Sequence, residues 1–221
     1  MKPTHLLLIA LLFFACKEKP KAQANIEKPK TEKAAVIADS AMVVSARAEA
    51  SKIGTEILKM GGNAFDAMIA TQMALALTYP NAGNLGGGGF MVYRSQYGEI
   101  GTLDFREKAP LAATRDMYLD KEGNVIAEKS TDGALAVGIP GSIAGVFAVH
   151  EKFGSLPMEI LLKPVIDLAN KGYSITPKQK ARFDEFKEQF KKINGEPSIF
   201  TEVYEQADTL KNIALANTLS P

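Results

Sequence analysis

Cysteine is almost missing from this chain. Cys16 is the only one among 221 residues, so no disulfide can form within it. Histidine is nearly as scarce: His5 and His150 are the only two, too few for a histidine-rich metal centre or a local Ser-His-Asp triad. Tryptophan is absent, and so is an excess of either charge. The formal net charge is +1, which leaves no broad electrostatic field to recruit nucleic acid. The longest apolar run, Leu6 to Ala15, falls well short of the roughly 20 residues that a membrane-spanning helix needs. No internal repeat is present. What remains is ordinary for a globular protein, 46% hydrophobic and 23% charged, with length for one domain and room for a small annex.

Residues 1–16 read as an export signal. Lys2 gives a positive start, Leu6 to Ala15 an apolar centre, and Phe13-Phe14-Ala15-Cys16 an end resembling a bacterial lipobox. Cys16 is then the lipidation site, although Phe13 and Phe14 are bulkier than usual there. The rival reading is cleavage after Ala22-Gln23-Ala24, which gives a soluble exported protein. Residues 17–34 are rich in Lys, Glu and Pro, cannot bury a core and read as a disordered tether. The membrane is therefore expected as a partner only through a lipid anchor.

Residues 35–221 form the globular region. Two short strands are expected at Ala35 to Ala38 and Ala41 to Ser45, then a helix from about Ala46 to Met60 stopped by Gly61-Gly62. Asn63 and Asp66 make a capping box for a second helix, Ala64 to Leu77, apolar almost all round and so a core element. Beyond Pro80 come four glycines, Gly86 to Gly89. Two strands follow, Phe90 to Arg94 and Ile100 to Phe105, joined by a turn near Tyr97-Gly98. Lys121 to Asn124 is a turn and Ala134 to Ile139 is strand-like. Helices are expected over about Ser142 to Phe153 and Pro157 to Lys171, the latter kinked by Pro164. Thr176-Pro177 opens a charged helix running to about Ile193. Strands and helices mix without a regular βαβ rhythm, which points to an α+β layered fold.

The glycine run is not followed by Gly-Lys-Ser/Thr and lacks the G-x-G-x-x-G spacing, so it is neither kind of phosphate cradle. On periodicity alone it is a close-packed turn before a strand. The wider window is more specific. Pro80 to Met91, Asp104-Phe105-Arg106-Glu107-Lys108-Ala109-Pro110, Ala113 to Met117, Glu56 to Ala67, Gly138 to Gly145 and Leu215 to Leu219 all resemble blocks of the γ-glutamyltransferase (γ-glutamyltranspeptidase, glutathione hydrolase) family. They occur in order from about Val36 to Leu219. Only Lys180 to Thr209 matches loosely.

The resemblance implies the αββα sandwich of an N-terminal-nucleophile hydrolase, here as an incomplete portion of the large subunit. It implies an exported bacterial enzyme whose small-subunit threonine attacks γ-glutamyl amides, with its own α-amine as base. Glutathione or another γ-glutamyl compound is the implied donor, water, amino acids or peptides the acceptors, and the C-terminal small subunit the partner. It implies no metal or organic cofactor. No Thr-Thr-His cleavage motif occurs in these residues, so no catalytic residue is assigned and these residues alone are expected to be inactive. Arg106 matches the family's arginine for the substrate α-carboxylate, a task that suits a planar guanidinium fork. By residue type alone, Arg106 is better read as an ion-pair partner of Asp104 or Glu107, two residues expected to shape the loop; the resemblance reverses that preference. His150, the methionines of the second helix and the basic face at Lys178, Lys180 and Arg182 are expected to be structural. The alternatives are an acylase on the same scaffold, such as a cephalosporin acylase, and a non-catalytic exported lipoprotein binding module.

Overall fold

The computed structural model describes residues 35–195 and 197–220, so the leader, the tether and Cys16 lie outside the described residues. Residues 1–39 and 40–221 form separate units. The first contributes only residues 35–39 to the description, an exposed stretch that forms no strand. In the second, Ala41 to Ser45 is also not a strand. Val43 turns inward and Val44 outward, as in a strand, but no neighbouring backbone among the described residues takes up a ladder with this segment.

Helix α1 (Ala48–Lys59) buries Ala50, Ile53, Gly54 and Ile57 along one face. Gly61, at a φ of 94°, ends it, and the Gly62 N–H reaches back to Ile57 O. Helix α2 (Ala64–Thr78) starts on the expected capping box: Asn63 Oδ1 accepts from Phe65 N and Asp66 N, while Asp66 Oδ2 accepts from Asn63 N. Burial on nearly every side of α2 confirms it as the central element. Beside it lie α3 (Ser142–Phe153) and α4 (Met158–Lys171), which runs through Pro164. Val146, Val149, Leu161 and Val165 complete one core with Ile53, Ile57, Ile69 and Met73.

Strands β1 (Phe90–Arg94) and β2 (Ile100–Asp104) form an antiparallel hairpin with Phe90 opposite Asp104. Met91 and Leu103 pack onto that helical core, leaving Phe90, Val92 and Ile100 on the open face. A second small sheet pairs β3 (Tyr173–Ser174) with β4 (Thr209–Leu210). With α5 (Pro177–Asn194) and α6 (Ile213–Leu219) it encloses a second core around Tyr173, Ile175, Phe183 and Leu210. Helix α5 opens as expected, Thr176 accepting from Gln179 N with Pro177 at the first position. The architecture is α+β.

The segment Ala134 to Ile139 departs from expectation. Ala134–Ala136 is a 3-10 turn entered through Gly133 at a φ of 81°, and only Ile139 bridges another strand-like residue, Lys108. Apolar content there marks exposed residues, Leu135 and Val137, rather than a ladder. Between Lys108 and Ile139 the chain makes an irregular excursion. It carries a tight turn in which Asp120 Oδ1 accepts from Glu122 N and Asn124 N.

Two polar hubs join the elements. Asp66, with no exposed surface, accepts from Asn63 N, Ser155 N and Ser155 Oγ, tying the start of α2 to the α3–α4 link. Burial disfavours its charge, but these hydrogen bonds outweigh that and hold its pKa below the ordinary 3.8. At the other end, Arg47 donates to Gln179 Oε1 at 3.0 Å and to Glu49, and lies over the Tyr173 ring. Gln179 in turn donates to the Tyr173 hydroxyl, which donates to Leu77 O. Ala207 stands at a φ of 72°, where a Cβ is strained. Ala207→Gly should therefore raise stability by about 0.5–1 kcal/mol, read from the urea midpoint.

Candidate functional site

Three stretches from distant parts of the sequence meet at one end of the hairpin: the glycine run, Phe105 to Lys108 after β2, and Ile139 to Ser142 at the start of α3. Gly141 N and Ser142 N both donate to Gly87 O, at 2.9 and 3.0 Å, and Phe105 N donates to Gly89 O at 3.0 Å. Lys108 and Ile139 exchange two backbone hydrogen bonds, of 3.1 and 2.7 Å. Side chains would not fit between these strands of chain. A Cβ on Gly88 would stand 2.6 Å from Arg106 Cα, and one on Gly141 would fall on the Phe105 carbonyl oxygen. The Phe105 ring sits against Gly89 and Gly145. The glycines thus serve close backbone approach, and what they approach is the loop that carries Arg106.

Arg106 projects from this junction. Its backbone N–H donates to Asp104 Oδ1 at 3.0 Å, so Asp104 shapes the loop as expected. Its exposed guanidinium forms no ion pair among the described residues, and neither Asp104 nor Glu107 neutralises it. Instead it lies over Phe90, 5.6 Å from the ring centroid. Beside it opens a hollow of about 320 Å³, lined by Asp104, Arg106 and Lys108 together with Leu103, Ile139 and Pro140. An uncommitted guanidinium on the rim of a partly apolar hollow is chemically suited to a carboxylate.

Other sequence expectations fall away from this junction. His150 is structural, its Nε2–H donating to Leu156 O at 2.8 Å. Lys180 pairs with Asp184 and Arg182 with Glu185 along the solvated face of α5. A larger hollow of about 510 Å³ near Arg47, Lys178 and Arg182 is also basic, but Arg47 and Arg182 are already paired, with Glu49 and Glu185. Among the described residues, no three acids, histidines or cysteines gather as metal ligands. No described helix is long and apolar enough to cross a membrane. Nothing local to Arg106 in the sequence announces Phe90 beneath it or the wall made by Ile139 to Ser142. The Gly138 to Gly145 block was the available signal for the wall.

Comparison with known proteins gives a consistent result. The family model for gamma-glutamyltranspeptidase matches residues 50–221. The chain is 55% identical over 140 residues to a glutathione hydrolase proenzyme of a Pseudomonas species, covering 63% of this chain and 24% of that protein. It is 48% identical over 140 residues to the glutathione hydrolase proenzyme of Escherichia coli, with the same coverage. The crystal structure of Helicobacter pylori gamma-glutamyltranspeptidase superposes with a TM-score of 0.78 at 41% identity, covering 84% of this chain and 54% of that one. The chain spans about a quarter of the length of these curated relatives.

Proposed function

This chain belongs to the gamma-glutamyltranspeptidase family, and on that premise we propose that it is the carboxylate-gripping part of an enzyme that cleaves γ-glutamyl amides such as glutathione. The observation that carries this reading is the Arg106 guanidinium, free of ion pairs among the described residues and set at the rim of a hollow. Arg106 binds the α-carboxylate of the γ-glutamyl group with two parallel N–H donors. A threonine hydroxyl outside these residues attacks the γ-carbonyl, its own α-amine taking the proton. The amine half of the donor leaves, and water, an amino acid or a peptide takes the acyl group. The acylase alternative has no support in the names of the relatives above, which are glutathione hydrolases. A non-catalytic module is disfavoured for the same reason. Export, with a lipid on Cys16, extends the proposal and rests on the leader sequence alone.

The test compares γ-glutamyl-p-nitroanilide with glutaryl-p-nitroanilide, which lacks only the α-amine. The full-length polypeptide should turn over the γ-glutamyl compound at least about tenfold better in kcat/KM, since a binding site left facing a missing polar group loses that much or more. Residues 1–221 alone should give no turnover. Equal or better use of the glutaryl compound would overturn the reading, as would activity of residues 1–221 alone.

A further inference from the structure

We propose that Phe90 is the positioning residue for Arg106, its ring acting as a shelf that holds the guanidinium aimed at a carboxylate without occupying it. The inference rests on the reading of Arg106 given above. Phe90 and Asp104 face each other directly across β1 and β2, so they share one face of the hairpin. From that pair, Asp104 holds the backbone N–H of Arg106 while Phe90 lies under its guanidinium at 5.6 Å. Both ends of the arginine are therefore held by one cross-strand pair.

Among the described residues, Phe90 takes no part in either core. Met91 and Leu103 cover the helical layer, and 67% of Phe90 remains exposed. Its distance to the guanidinium lies within the reach of a cation–π contact, about 6 Å. The choice of ring over acid has a chemical consequence. A carboxylate beneath Arg106 would fix the side chain but consume its N–H donors and cancel its charge. An aromatic face attracts the cation from below and accepts none of the in-plane N–H groups, so the fork stays open to a ligand. Holding a long side chain in one posture before binding also removes part of the rotamer entropy otherwise lost on binding.

The experiment uses full-length enzyme carrying Phe90→Leu, Phe90→Tyr and Arg106→Ala, with two substrates: γ-glutamyl-p-nitroanilide and 4-aminobutanoyl-p-nitroanilide, which lacks the α-carboxylate. Phe90→Leu keeps apolar bulk but no ring, so it should lower kcat/KM for the γ-glutamyl substrate by about 3- to 10-fold. It should leave the 4-aminobutanoyl substrate within about twofold, the scatter set by small packing changes. Phe90→Tyr should remain near wild type, and Phe90→Leu should have no further effect once Arg106 is alanine. Equal loss on both substrates by Phe90→Leu would mean general structural damage and overturn the proposal. Wild-type behaviour of Phe90→Leu would overturn it too. If Arg106→Ala itself is silent on the γ-glutamyl substrate, the reading of Arg106 fails first. A harmful Arg106→Ala beside a silent Phe90→Leu rejects the shelf alone.

Discussion

Replacing Arg106 with alanine in the full-length enzyme should lower kcat/KM for a γ-glutamyl amide by about 10- to 150-fold, which corresponds to the 1.5–3 kcal/mol of a hydrogen bond to a charged group. The side chain is exposed and pairs with no acid among the described residues, so the folded state loses almost nothing. The melting temperature should stay within a degree or two while the kinetics fall. Arg106→Lys should recover only part of the loss, because a point charge cannot meet both carboxylate oxygens along two parallel bonds. Unchanged kcat/KM in Arg106→Ala would remove Arg106 from the binding site. A drop in thermal stability matching the drop in rate would show that the residue supports the fold instead.

The second large effect concerns stability. Asp66→Ala strips the buried hub of its acceptor and leaves Ser155 N–H, Ser155 Oγ–H and Asn63 N–H without a partner. These donors are only partly buried, so water replaces some of the lost bonds and the change should cost about 1–2 kcal/mol in all, read as a lower denaturant midpoint at neutral pH. The pH dependence has a definite sign. The folded-state pKa lies below the ordinary 3.8, so the carboxylate contributes its stability above that value and loses it as pH falls through the folded pKa. The gap between wild type and Asp66→Ala should thus be full at pH 7 and shrink below about pH 4. A gap that stays constant down to pH 2 would mean that the charged form is not what the hub stabilises.

Features decided within a few residues were legible in the sequence. The Asn63–Asp66 box, the Gly61 stop, the Thr176-Pro177 start and the hairpin turn at Tyr97-Gly98 all stand where the residue types put them, because the partners lie a few positions apart. Ladders were less legible. Ala41 to Ser45 and Ala134 to Ile139 have strand composition, but a strand exists only where a second backbone runs alongside. Neither segment finds a ladder among the described residues beyond the Lys108–Ile139 bridge. The hubs were hidden for a related reason: Arg47 and Gln179 stand 132 positions apart, and nothing local to either announces the other. Arg106 itself was found through a resemblance between blocks of sequence. Its ring support, Phe90, could be placed only once the hairpin register was known.

The double hydrogen bond between Lys108 and Ile139 forms a neck at the base of residues 109–138. Ties from the excursion to α5, Glu128 with Lys192 and Asp132 with Gln189, lie at the surface, and an exposed pair such as Glu128–Lys192 contributes little to stability. Lengthening a loop whose ends are already joined costs only about 0.6 kcal/mol per doubling. A peptide tag or a small inserted domain at the Asp120–Asn124 turn would thus be borne by the excursion and stop at the neck. The molecule offers a permissive graft site in the same stretch of chain as the loop that tolerates least change, separated from it by one pair of backbone contacts.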